Sequence, residues 1–203
     1  MFGAGVLSAL DTRNSSSVAP VLQLSSYLTG LSGGAWLVGS LLLSGLPDLF
    51  SLALGGSEQP GWLLDLNLLA PGDTDASLNE AFYTQLMNEV QLKADAGAPV
   101  SVADLWSRAL ARHFFNGTTR ANFFDQTSPH DAGLLWSAIR DVPLFQTAQA
   151  PITIALTSSR IAPTAAIVPL SNTVRGTTPL FTNHIELSMR AGIRVYTVHL
   201  GLI

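Results

Sequence analysis

Residues 27–41 read YLTGLSGGAWLVGSL, and within them Gly30-Leu31-Ser32-Gly33-Gly34 has the form G-x-S-x-G. An apolar strand candidate precedes the pentapeptide and an apolar helix candidate follows it, which is the setting that gives the pattern chemical meaning. There the serine sits on a strained strand-to-helix turn. Glycine is expected at both flanking positions, Gly30 and Gly34, because a Cβ at either would strike the neighbouring strand or helix. The Ser32 hydroxyl then projects beyond the carboxyl end of the strand. The Gly33 amide, at the helix N-terminus, points to where an oxyanion would form, and the helix dipole adds partial positive charge there. Five consecutive residues thus offer a nucleophile, Ser32, and half of an oxyanion hole. The bland alternative is a Gly/Ser-rich turn that only joins two elements.

Moving outward, no charged residue lies between Arg13 and Asp48, and residues 31–46 read LSGGAWLVGSLLLSGL. A membrane-spanning helix needs about 20 mostly apolar residues. This run is shorter, is broken by glycines and serines, and stops at Pro47, so a span is not expected. Gly30 and Gly34 also form a GxxxG pair, a spacing that arises wherever glycines cluster. The opening MFGAGVLSALDTRN has no basic stretch ahead of its apolar run and does not read as a signal peptide.

The chain has 203 residues, of which 47% are hydrophobic and 12% charged, a balance that excludes intrinsic disorder. Ten basic residues face 14 acidic ones, net charge −4, and the basic residues are scattered singly. Nucleic acid is therefore discarded as a partner, since its binding draws on clustered cations. The absence of cysteine excludes disulfides and thiolate chemistry. The four histidines, His113, His130, His184 and His199, show neither H-x-x-x-H nor H-E-x-x-H spacing, so no metal and no cofactor is expected.

Along the chain, periodicity predicts a short helix over 2–10, a strand within 18–28, the glycine turn, and a helix over about 34–44. Residues 48–75 read as loop. A helix is expected over 77–93, capped by Ser77 with Glu80 as its capping-box partner. Another is expected over 102–115, with Ser101 as cap and Leu105, Trp106, Ala109, Leu110 and His113 on one side. LLWSAIRD, residues 134–141, adds a turn or two of helix. APITIALTS, residues 150–158, reads as a buried strand that 165–170 could join. Trp36, Trp62, Trp106 and Trp136 are assigned to packing, His113 to a helix face, and His130 and Asp131 to a solvated loop.

The run YLTGLSGGAWLVGSL, with MFGAGVLSALDTRN before it, resembles the catalytic domain of the fungal lysophospholipase (phospholipase B) family, relatives of the cytosolic phospholipase and, more distantly, of patatins. The likeness continues through VADLWSRALARHFFNGTT, residues 131–139 and APITIALTSSRIAP, to about residue 174. It implies an α/β fold, a partial three-layer patatin-like or cytosolic-phospholipase-like domain containing a strand, nucleophile elbow and helix. It implies a serine acylhydrolase acting on fatty-acyl esters of phospholipids and lysophospholipids through a Ser–Asp dyad, with contact to a membrane surface and a secreted or cell-surface location. By that match Ser32 is the nucleophile, Gly33 an oxyanion donor, and Gly30 and Gly34 the elbow glycines.

The departures shape the expectation further. The family's glycine-rich segment with an arginine would precede Met1, and its dyad aspartate stands in an Asp-Gly context that occurs nowhere in these 203 residues. Asp131-Ala132-Gly133 is the near miss and is rejected as the base. Residues 175–203, where Glu186 is the sole carboxylate beyond Asp141, read as a divergent tail. The chain is thus expected to be a domain truncated at both ends, with residues 1–174 its family-like part and with little or no activity alone. Three alternatives stand beside that reading. One is a silent fragment that binds lipid or a partner, and another is membrane association through the glycine-rich run. The third is an esterase with a triad strung as Ser32, Asp131 or Asp141, and His184 or His199. Asn14-Ser15-Ser16 and Asn116-Gly117-Thr118 are glycosylation sequons if the protein enters the secretory route.

Overall fold

The structure is a computed structural model describing residues 2–14, 20–131, 134–158 and 174–177. It is α/β, and its described residues fall into two compact units. His184, His199, Glu186, the strand expected over 165–170, and the tail beyond 177 lie outside the described residues.

One unit holds residues 9–46 together with the described residues from 136 onward. Its centre is a three-stranded sheet in the order β1-β2-β3, with β1 at Tyr27–Leu31, β2 at Ile152–Ser158 and β3 at Val174–Thr177. β1 and β2 run parallel, in a register that sets Tyr27 beside Ile152 and Leu31 beside Leu156. β3 returns antiparallel along β2. Helix α3, Gly33–Leu43, springs directly from β1 and packs on β1 and β2. It is apolar nearly all round, with Ala35, Trp36, Val38, Leu41 and Leu42 buried, as a helix inside a core must be. The expected strand within 18–28 is corrected. Residues Val21–Leu24 form one helical turn, α2, which follows α1 at Phe2–Ala9, and the strand begins only at Tyr27. Ser25 Oγ donates to the Val21 carbonyl at 2.6 Å, the local side-chain bond by which serine competes with strand pairing. Residues Trp136–Asp141 form a 3₁₀ helix rather than an α-helix, and a one-turn α7, Pro143–Gln146, follows.

The other unit holds residues 2–8 and 47–135. Residues 48–75, read as loop, contain a further helix, α4 at Leu49–Leu54, which Asp48 caps by accepting from the Ser51 amide at 2.9 Å. The long helix α5, Ala76–Asp95, is capped by Asp75 and not by Ser77, because the Asp75 carboxylate takes the amides of Ser77 and Leu78 and the Ser77 hydroxyl. Helix α6, Val102–Phe114, begins as expected, with Ser101 and Asp104 forming a full capping box. Its buried face is the expected one at Ala109 and His113 and differs elsewhere: Trp106 is 49% exposed, while Arg108 and Arg112 are buried.

The reason is a set of ion pairs. Arg112 donates to Glu89 on α5 at 2.8 Å and lies 5.3 Å above the Phe82 ring. Lys93, also on α5, bonds Asp104 at 2.6 Å. Around them pack Leu63, Phe82, Leu86, Ala109 and Phe123. Burial outweighs the two arginines at Glu89 and raises its carboxyl above the ordinary value. Glu89→Gln leaves Arg112 buried without a counter-charge, a change that costs about 3–5 kcal/mol. A urea unfolding series on wild type and variant checks it.

His130 is corrected from a solvated loop to the interior, being 2% exposed. Its Nε2–H donates to the Asp125 carbonyl at 3.0 Å and its Nδ1 accepts from the Thr118 hydroxyl at 3.1 Å, which fixes the tautomer. Asp131 accepts from the Gly117 amide at 2.6 Å, which closes the loop after α6 on itself, and Asn116 donates to Gln59 in the segment that follows α4. In both His113 and His130 burial lowers the imidazole below its ordinary value of about 6.5. As pH falls the unfolded chain therefore takes up protons first. Stability contributed by the neutral rings is complete above about pH 6.5 and declines as pH drops from there toward the folded values. The slope is at most about 1.4 kcal/mol per pH unit for each ring. Urea midpoints at pH 7.5 and 5.5 check it, and His130→Gln reduces the difference.

Candidate active site at the β1–α3 turn

Ser32 is the single residue between β1 and α3. Its backbone stands at φ 54, ψ −125, left-handed space that residues with a side chain adopt at a cost of about 1–3 kcal/mol. Serine at a helix N-cap ordinarily accepts from the first-turn amides, but here the side chain makes no cap bond and the residue is exposed. The first turn is closed instead by the backbone, with the Ala35 amide donating to the Ser32 carbonyl at 2.9 Å. Among the described residues the hydroxyl makes no such bond, and it stands at the positive end of α3. Among the described residues, the amides of Gly33 and Gly34 have no backbone acceptor.

The two flanking glycines differ. A Cβ on Gly30 would stand 2.6 Å from the backbone of Ala35 and Gly34, so β1 and the first turn of α3 meet only because Gly30 lacks one. The same expectation for Gly34 is corrected: nothing lies within 4 Å of the place its Cβ would take, nor of that of Gly33. The difference follows from direction. Gly30 faces back under the helix, whereas Gly33 and Gly34 sit on the outer side of its first turn.

No sequence motif announced the clamp that ties the residues ahead of β1 to the chain just past α3. Asp11 is buried, and its carboxylate accepts from the Arg13 amide at 2.9 Å, from Arg13 Nε and Nη2, and from Gln23 Nε2 at 2.8 Å. Arg13 Nη1 reaches the Leu46 carbonyl, just past α3, at 2.8 Å. Burial pushes the Asp11 carboxyl up, and the bonds from Arg13 and Gln23 outweigh it, so it ends below its ordinary value. Asp11 and Arg13 are the only charged side chains before Asp48, which was the available signal: two lone charges in an apolar run must answer each other.

Among the described residues, no carboxylate or histidine is hydrogen-bonded to Ser32. Asp141 is exposed at the end of the 3₁₀ helix. A cleft of about 420 Å³ between Gln23, Ser26, Phe145, Gln149 and Ile152 opens at the amino ends of β1 and β2. Ser32 stands at the carboxyl end, where open α/β sheets hold their ligands. No helix among the described residues is long and apolar enough to cross a membrane.

The contrast between the glycines is measurable. Gly30→Ala forces backbone apart at a packed turn and destabilises by at least about 1–3 kcal/mol. Gly34→Ala is neutral or stabilising by up to about 1 kcal/mol, from the better helix propensity of alanine. Thermal unfolding of the two variants beside wild type reads the difference.

Comparison with known proteins bears on this turn and on most of the chain. Residues 1–191 match the lysophospholipase catalytic domain family. Lysophospholipase 2 of Saccharomyces cerevisiae is 32% identical over 196 residues, 93% of this chain and 26% of the relative. Probable lysophospholipase 3 of Schizosaccharomyces pombe is 36% identical over 179 residues, 87% of this chain and 25% of the relative. Lysophospholipase 3 of Candida albicans is 35% identical over 162 residues, 78% of this chain and 20% of the relative. The chain therefore spans about a quarter of the length of such relatives. No solved structure matches it. With a family match over nearly its whole length, the chain belongs to the lysophospholipase catalytic domain family.

Proposed function

We propose that this domain is the elbow-bearing part of a serine acylhydrolase that cleaves fatty-acyl esters of lysophospholipids and phospholipids. Ser32 is its nucleophile and the Gly33 amide an oxyanion donor. The observation that carries this reading is the left-handed backbone of Ser32 at the N-terminus of α3, with its hydroxyl exposed and uncapped. The relatives' names, all lysophospholipases, supply the substrate class. In the same reading the α/β unit is part of a three-layer domain of the patatin and cytosolic phospholipase type.

The chemistry runs in two displacements. Ser32 Oγ attacks the acyl carbonyl carbon as a base removes the hydroxyl proton, and the Gly33 amide receives the charge that gathers on the carbonyl oxygen. The tetrahedral adduct collapses by breaking the bond to the glycerol oxygen, which leaves with the proton. Water then attacks the acyl-serine by the same route and releases the fatty acid, restoring the hydroxyl. The resemblance to the family assigns the base to an aspartate, and no residue of this chain is assigned that role.

A second reading, a silent domain that binds lipid without turning it over, is favoured by one observation: no carboxylate or histidine among the described residues is hydrogen-bonded to Ser32. Removing a member of such a catalytic group costs several orders of magnitude in rate. The 203-residue chain, assayed with a lysophospholipid and a chromogenic short ester beside Ser32→Ala, is therefore expected to turn over at least about 10³-fold below an ordinary acylhydrolase. A fluorophosphonate probe reports separately on the serine. Labelling that Ser32→Ala abolishes supports the nucleophile, and labelling that survives the substitution refutes it.

A further inference from the structure

Backbone strain in the elbow unit sits at the two ends of α3. Among the described residues of 9–46, two that carry side chains have left-handed backbone: Ser32 at φ 54, just before the helix, and Leu46 at φ 60, just past it. Such residues persist only where their surroundings over-determine them. At Leu46 the support is visible. Its amide donates to the Leu41 carbonyl at 2.9 Å, its side chain is buried, and its carbonyl takes Arg13 Nη1 at 2.8 Å. Ser32 is exposed and its side chain makes no cap bond. What holds Ser32 comes through the elements on either side of it.

Those elements are tied at their far ends to one ion pair. Ahead of β1, Gln23 Nε2 donates to Asp11 at 2.8 Å, Gln23 Oε1 accepts from the Thr12 amide at 3.1 Å, and the Leu22 amide donates to the Leu10 carbonyl at 3.0 Å. Past α3, Arg13 holds Leu46. Between the two, Arg13 Nε and Nη2 grip the carboxylate of Asp11, which is 2% exposed. Positions 23 and 46, with strand, turn and helix between them, are thus fixed to two residues that are locked together. The planar guanidinium suits this task, because its fork meets the carboxylate while its third nitrogen reaches a carbonyl.

Helix α3 has 11 residues and so spans about 16 Å. Its first turn meets β1 at Gly30, with Ala35 2.6 Å from where a Cβ would stand. Packing that close gives discrete arrangements and not a continuous range, so α3 keeps this register or moves as a whole. Ser32 then has two states. In the observed one its backbone is left-handed and its hydroxyl uncapped. In the other α3 is released, Ser32 relaxes to negative φ, and its hydroxyl accepts from a first-turn amide as an N-cap serine ordinarily does.

We propose that Asp11 and Arg13 are positioning residues for Ser32: by fixing the register of α3 against β1 they hold the serine backbone left-handed and its hydroxyl out of the capping bond. This role deepens the reading of Ser32 as nucleophile and rests on it. The fluorophosphonate probe tests that reading and NMR tests the role, so the two fail separately.

The 203-residue chain is compared with Arg13→Lys, Asp11→Asn and Val142→Ala by NMR after 13C and 15N labelling of serine and glycine, with Ser32 assigned from Ser32→Ala. Arg13→Lys keeps the charge and loses the fork, and Asp11→Asn keeps the outline and loses the charge. Val142→Ala truncates a buried side chain of the same unit without touching the ion pair. Urea midpoints on each variant report stability.

In both ion-pair variants the Ser32 13Cα and 13Cβ resonances are expected to move to those of a capping serine with negative φ, and the Gly33 and Gly34 amide resonances to move with them. In Val142→Ala all of these keep their wild-type positions although the midpoint falls. Ser32, Gly33 and Gly34 unmoved in both ion-pair variants, whatever the midpoint, show a merely structural pair and overturn the proposal. So does equal movement in Val142→Ala, and so does a wild-type Ser32 whose resonances already report negative φ.

Discussion

The missing Cβ of Gly30 is the constraint on which the rest depends. Because the α3 backbone stands 2.6 Å from where that atom would be, the chain reverses from strand to helix across one residue. That residue, Ser32, is driven to φ 54. The cost of a left-handed serine, about 1–3 kcal/mol, is small beside the burial of Ala35, Trp36, Val38, Leu41 and Leu42 on the helix it starts, where each large side chain contributes about 1.5–3 kcal/mol. Burial of α3 thus holds a strained residue in place. The strain in turn keeps the hydroxyl out of the capping bond it would otherwise make.

Much of this was legible in the sequence. G-x-S-x-G between two apolar segments gave strand, turn and helix in order, and the GLSGGAW core carried the family. Ser101 with Asp104 gave the start of α6. What the sequence hid is physical in origin. Position 34 was predicted as sterically closed by symmetry with position 30, but the two glycines lie on opposite sides of the turn. Asp75 displaced Ser77 as the cap of α5 because its carboxylate, two residues earlier, takes the amides of Ser77 and Leu78 and the Ser77 hydroxyl as well. Residues 21–24 looked like strand because Val21, Leu22 and Leu24 are apolar, and the Gln23 bond to Asp11 that fixes the turn crosses 12 positions of sequence.

The α5–α6 unit misled in another way. A period of 3.6 read from apolar residues alone put Trp106 on the inner side and left the arginines out of account, and the structure exposes half of Trp106 and buries Arg108 and Arg112. Arg112, Arg108 and Glu89 form a charged layer beneath the aromatic cluster of Phe82 and Phe123, and Lys93 closes a second pair with Asp104. Such pairs add little net stability over an apolar core of the same shape, but each member demands its partner. Apolar periodicity registers none of this, because the signal lies in which charges share a helix interface.

The elbow also limits what its own chemistry supplies. A helix N-terminus stabilises an adjacent anion by about 0.3–1 kcal/mol and at most about 2 kcal/mol, and one pKa unit corresponds to 1.36 kcal/mol. A contribution of that size from the end of α3 is far short of making Ser32 an alkoxide at neutral pH. The amides beside Ser32 act on the oxyanion, where charge first appears in the transition state, and not on the resting hydroxyl. Aim and anion stabilisation are local properties of five residues and can be encoded in five residues. Proton acceptance is a distinct task that needs a basic atom within about 3 Å of Oγ, brought there by tertiary folding, and for that reason no local motif around Ser32 could have encoded it.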